Sequence, residues 1–187
     1  MKAKFGTKIL GALVFLVVAG ALIVETGHAQ ARRSQTARRA ELIAAARAIM
    51  VAARYCALIT IDSSGRTQAR TVDPFAPDEN MVVWLGTNPR SRKVAAIRRN
   101  PRVTLYYFDR EAQAYVTING IAQLVNDPKA KMKWWKDEWQ AFYPNRRKDY
   151  LLIRVAPEKL EVVNVSKGIL GDPRSWTPPS VRFRNQR

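Results

Sequence analysis

The chain has 187 residues, 47% hydrophobic and 25% charged, with a formal net charge of +17. That is enough apolar material for one packed domain with extensions, which excludes a disordered coil. A single cysteine, Cys56, and a single histidine, His28, exclude an intrachain disulfide, a Cys/His metal centre and a His-activated nucleophile in the body of the chain.

In chain order, Lys2, Lys4 and Lys8 precede an uncharged apolar run over residues 9–24, and Gly27 and Ala29 supply small residues before Gln30. That order is a secretory signal, with an uncleaved membrane anchor through residues 9–24 as the alternative. Residues 1–29 are therefore read as signal peptide or signal anchor. The rest of the protein is expected to be exported, either periplasmic or membrane-anchored facing outside the cytoplasm. Residues 30–37 read as a basic linker, 38–165 as the folded domain and 166–187 as an irregular tail. Three lysines and one glutamate lie in the first thirty residues, a net +2, leaving +15 for the remainder. Those charges are dispersed, with little aromatic interleaving. A solvated basic surface or a phosphorylated small molecule is expected, and no nucleic acid.

Leu42, Ile43, Ala46, Ile49 and Met50 recur at helical spacing, which predicts an amphipathic helix over residues 38–54 beginning after Thr36. Residues 55–61 and 66–72 alternate like strands around Asp62-Ser63-Ser64-Gly65, a hairpin signature. Asp73-Pro74 interrupts the second strand. Further strands are expected over residues 81–87, 102–108 and 114–125, the last with Gly120 as a bulge or close-approach point. Residues 91–100 form a short helix, and Asp127 caps a second over residues 128–142 whose Trp135, Trp139 and Phe142 share a face. Strands over 150–155 and 160–165 close the domain. Of Tyr106 and Tyr107, one faces inward and one outward. Cys56 is read as a buried strand residue. Short antiparallel strands with a few helices predict a closed or half-open β-barrel; a dinucleotide fingerprint and a Walker loop are absent.

The most informative segment is 82–108. A strand ends at Thr87, and a turn leads to Ser91, Arg92 and Lys93 at the start of a helix that Asn100-Pro101 closes. Helix-start N–H groups, the positive end of the helix dipole and basic side chains suit a phosphate. Ser91 can serve as a helix cap as well.

The order Gly65, Ala69-Arg70-Thr71-Val72, Trp84-Leu85-Gly86-Thr87, Ser91-Arg92-Lys93, Asn100-Pro101 and Tyr115-Val116-Thr117-Ile118-Asn119-Gly120 resembles the pyridoxamine 5'-phosphate oxidase-like superfamily, most closely its general stress protein type. The resemblance implies an α+β, mainly β domain: a six-stranded antiparallel split β-barrel of the FMN-binding type. It implies FMN as cofactor, with the deazaflavin F420 as the alternative, and a homodimer. Arg70 matches the strand arginine that reaches the flavin phosphate. Thr71 and Val72 match positions whose backbone lies along the ring, and Thr87 a hydroxyl position at a strand end. Ser91, Arg92 and Lys93 match the phosphate-binding turn. Tyr115 falls where the oxidase proper has glutamine. The oxidase's lysine after its strand arginine is replaced by the Asp73-Pro74-Phe75 neighbourhood, and its C-terminal Arg–His pair has no counterpart, so pyridoxamine phosphate oxidation is not expected. The function implied is a flavin-dependent oxidoreductase with an unknown small-molecule substrate or electron donor; the alternative is a non-catalytic flavin, deazaflavin or haem carrier.

Overall fold

The computed structural model describes residues 7–184, with side chains from residue 30 onward. Helix α1 spans Thr7–Ala53, and the chain divides after Glu41 into two units, each compact in itself. The signal or anchor expected over residues 1–29 lies outside the residues whose side chains are described. Among the described residues, no helix is long and apolar enough to cross a membrane.

In the first unit, residues 30–41 are helical and exposed, with an Arg38–Glu41 ion pair at 2.8 Å. This corrects the helix start expected after Thr36, since residues 30–37 are already helical. The stretch lacks Gly and Pro and is rich in Ala, Arg and Gln, all good helix formers. Its two hydroxyls are absorbed within the helix: Ser34 donates to the Ala31 carbonyl and Thr36 to that of Arg32.

The second unit begins with the last turns of α1, where Leu42, Ala45, Ala46, Ile49 and Met50 are buried at the expected spacing. Seven strands follow: β1 (Cys56–Ile61), β2 (Thr67–Val72), β3 (Val83–Thr87), β4 (Arg102–Asp109), β5 (Ala114–Val125), β6 (Leu151–Asn164) and β7 (Ser180–Arg182). The helices are α2 (Arg92–Arg99), α3 (Pro128–Lys133) and α4 (Arg146–Asp149), with a 3-10 turn at Asp137–Ala141. All strand pairs are antiparallel, in the order β2-β1-β4-β5-β6-β3, with β7 beside β6. Just after β2, Pro74 bridges Leu85 of β3, and Phe75 N–H donates to the Trp84 carbonyl at 2.8 Å. The two ends of the sheet thus meet, and it curls into a half-closed barrel, the split barrel expected. Leu58, Leu85, Leu105, Ile118, Ile153 and Leu160 fill it and are fully buried.

Local chemistry accounts for most boundaries. The β1–β2 turn has Gly65 at φ +81°, and the Asp62 carboxylate accepts from the N–H groups of Ser64 and Arg66. Gly120 sits at a register shift opposite Pro157, where an added Cβ would lie 2.4 Å from the Ala156 carbonyl oxygen. Tyr107 is buried while Tyr106 is exposed, and Cys56 is buried. Burial pushes the Cys56 thiol up to about 12; the neighbouring Tyr107 hydroxyl opposes this and Asp73 adds to it. Among the described residues, the buried Tyr107 hydroxyl has no hydrogen-bond partner.

Three expectations are corrected. The strands over 150–155 and 160–165 are one strand, β6, because Pro157 falls between its β3 and β7 partners, at Val155 and Lys159, where no ladder donor is missed. The tail is not wholly irregular: β7 pairs Val181 with Leu160. The helix over 128–142 is two pieces. Asp127 caps α3 as expected, accepting from Ala130 N–H at 2.7 Å, but the chain is extended at Lys136. The break lets the adjacent Trp134 and Trp135 take different neighbours: Trp134 stacks on Trp84 at 5.4 Å, and Trp135 meets Tyr150 edge-on at 5.2 Å. One unbroken face would have buried Phe142, which is 73% exposed.

Candidate functional site

The β1–β2 register sets the site. Arg70 pairs with Leu58, so its side chain shares the inner face of the sheet with Leu58 and Thr60. Its guanidinium donates to the buried Thr60 hydroxyl at 2.8 Å, to the Leu58 carbonyl at 3.1 Å and to Gln68 Oε1 at 3.3 Å. All three acceptors are neutral.

The second half comes from the β3–α2 connection. Thr87, buried at the end of β3, accepts from Lys93 Nζ at 3.1 Å and lies 3.1 Å from the Ser91 hydroxyl. Ser91 occupies the N-cap position of α2, yet its side chain makes no capping bond. Its hydroxyl is held on Thr87 instead, and the first turn of α2 has no side-chain acceptor.

The two halves converge. Burial, then the charge of Arg92, lowers the Arg70 pKa. Burial, then the charge of Arg70, lowers that of Lys93. Among the described residues, none of these three cations has an ion pair. Arg70 and Lys93, each on neutral acceptors and near enough for their charges to interact, together with the exposed Arg92 at the start of α2, make a cationic surface suited to a multiply charged anion.

Five of the eight residues expected at the site, Arg70, Thr87, Ser91, Arg92 and Lys93, are therefore brought together. Val72 is half-buried against the barrel core. Thr71 is exposed on the outer face, opposite Ala57. Tyr115 is not brought to the cluster. It lies on the outer face beside Tyr106, ring centroids 5.8 Å apart. A cleft of about 230 Å³ opens on that face between Ile59, Thr67, Arg102, Asn119 and Glu158.

Sequence reasoning missed Thr60, the anchor of Arg70, and a second polar cluster beyond β2. There Lys136 Nζ donates to Asp73 Oδ1 at 2.7 Å and lies 5.1 Å from the ring centroids of Phe75 and Trp139. Trp139 Nε1 donates to Asp73 Oδ2 at 3.2 Å. The sequence offered only a basic residue among tryptophans as a signal.

A family model described as pyridoxamine 5'-phosphate oxidase like matches residues 42–171. The fold is similar to general stress protein 26 from Bacillus anthracis str. Sterne, at 19% identity and TM-score 0.60, covering 74% of this chain and 95% of that one. It is also similar to a pyridoxamine 5'-phosphate oxidase-related, FMN binding protein from Nostoc punctiforme PCC 73102, at 16% identity and TM-score 0.56, covering 82% and 96%. An F420 reductase matches at 20% identity and TM-score 0.50, covering 60% and 93%. No curated protein matches the chain.

Proposed function

The chain belongs to the pyridoxamine 5'-phosphate oxidase-like family, and on that premise we propose that it binds FMN and works as a flavin-dependent oxidoreductase. The observation that carries this reading is that Arg70 and Lys93 rest on the neutral acceptors Thr60 and Thr87, and that among the described residues neither they nor Arg92 has an ion pair. A flavin phosphate supplies the missing negative charge and accepts from several donors at once. The donor set fits the group. Arg70 is oriented by Thr60 and Leu58, Lys93 by Thr87, and the Ser91 hydroxyl sits beside Thr87. Bound FMN supplies hydride or electron transfer. The protein's part is to fix the phosphate and, along Thr71 and Val72, to present backbone to the ring.

The outer face carries Tyr106 and Phe108, 38% and 54% exposed. A second copy of this chain covering that face makes a homodimer, to be checked by light scattering of the purified protein. The same phosphate cradle would hold the deazaflavin F420, whose ring differs. An absorption spectrum with cofactor extraction decides between them: a flavin spectrum and released FMN are expected. A colourless protein that takes up neither cofactor overturns the reading.

A further inference from the structure

Between α3 and α4 lies a cleft of about 470 Å³ lined by Asn126, Pro128, Lys131, Met132, Arg146 and Arg147. That volume suits a small molecule. Lys131 is only 8% exposed. It nonetheless lines the cleft. Its ammonium donates to Asn126 Oδ1 at 2.9 Å and the Arg147 carbonyl at 3.3 Å, both neutral. Arg146 donates to the Lys131 carbonyl at 2.7 Å, and its guanidinium lies 4.1 Å from the Trp135 ring centroid. The guanidinium is thus tied to both the Lys131 backbone and the Trp135 ring.

No carboxylate answers these charges. Among the described residues, Lys131, Arg146 and Arg147 have no ion pair. The two nearest acids in sequence are engaged elsewhere: Asp127 caps α3, and Asp149 pairs with Arg90 at 3.0 Å. Burial, then the charge of Arg146, lowers the Lys131 pKa. A covered ammonium beside the Arg146 guanidinium, with Arg147 lining the same cleft, is costly unless an anion joins it. Pro128 and the 68% exposed Met132 supply apolar wall.

We propose that this cleft binds a small organic phosphate, its phosphoryl group held by Lys131, Arg146 and Arg147 and its apolar body against Pro128 and Met132. A phosphate dianion suits three cations better than a single carboxylate does, and guanidinium forks match its oxygens. The site shares no residue with the Arg70–Lys93 cluster and does not depend on flavin binding there.

The test is calorimetric titration of the full chain with phenyl phosphate and with benzoate. In the Arg70→Ala/Lys93→Ala background, which removes the other cationic cluster, phenyl phosphate is expected to bind at one site, about tenfold more tightly than benzoate. Lys131→Met should weaken it about tenfold and Arg147→Gln about threefold, each effect shrinking as salt rises. Arg147 is exposed, so its variant decides the matter if Lys131→Met does not fold. With Arg70 and Lys93 restored, a second phosphate-binding event at their cluster adds to this one. Absence of saturable binding in the double-variant background, equal affinity for benzoate, or an affinity left unchanged by both Lys131→Met and Arg147→Gln overturns the proposal.

Discussion

Two half-buried lysines, Lys93 and Lys136, sit beside the same barrel and differ in one respect. Lys136 has its counter-ion built in: Asp73 pairs with it at 2.7 Å, both side chains 18% exposed, and Trp139 completes the carboxylate. Lys93 has only the Thr87 hydroxyl, and faces a second cation in Arg70. The first arrangement is internally balanced and ties the helical segment after β5 to the β2–β3 connection. The second is unbalanced, which a fold sustains where an external anion completes it. A cation's partners, not its burial, separate a structural group from a binding group.

The comparison breaks most visibly through the aromatic cluster around Lys136. Trp139→Ala removes a buried ring that contacts Phe75, Trp135, Tyr143 and Tyr150 and leaves Asp73 short of a donor. It should cost about 3–5 kcal/mol, measured by denaturant unfolding. Next, Arg70→Ala/Lys93→Ala should weaken FMN about 100-fold, close to 2.7 kcal/mol, by fluorescence titration. Its stability without cofactor should be unchanged or higher, because no anion is left unpaired.

The pair Lys136→Met and Lys93→Met sharpens the contrast. The first strands the Asp73 carboxylate and should cost about 2 kcal/mol, a figure below that of a fully buried pair because both partners keep some solvent contact. The second should be neutral or stabilising in thermal melts of the cofactor-free protein. If both destabilise equally, the distinction drawn here is wrong.

The smallest effect is at the β1–β2 turn. Hydrogen bonds, chiefly from the Ser64 hydroxyl and the Arg66 N–H, hold Asp62 near 2 against an ordinary 3.8. A depressed carboxylate stabilises the fold fully above its ordinary value and ceases to do so as pH falls through the folded value. Protection of the Ser64 and Arg66 amides from exchange should therefore persist at pH 4 and fade toward pH 2.

Much of the barrel was legible because its signals are local. Alternation marked β1, β2, β4 and β5, and Asp62 with Gly65 marked their hairpin. The start of α2 revealed the Ser91-Arg92-Lys93 cluster. What was missed depends on contacts distant in sequence. Lys136 meets its counter-ion across 63 residues. Pro157 escapes its usual strand-breaking effect only because it falls in the gap between the β3 and β7 partners of β6. Arg70 owes its anchor to the register that sets Thr60 nearby.

Residue order alone determined strands β1 to β5, the β1–β2 turn and the start of α2, because propensity, capping and periodicity act over a few residues. Tertiary structure decided which cations share a space, which carboxylates neutralise them and where Tyr115 points. Electrostatic balance and sheet face are set by neighbours that the chain supplies only after the sheet has curled and its two ends have met at Pro74 and Leu85.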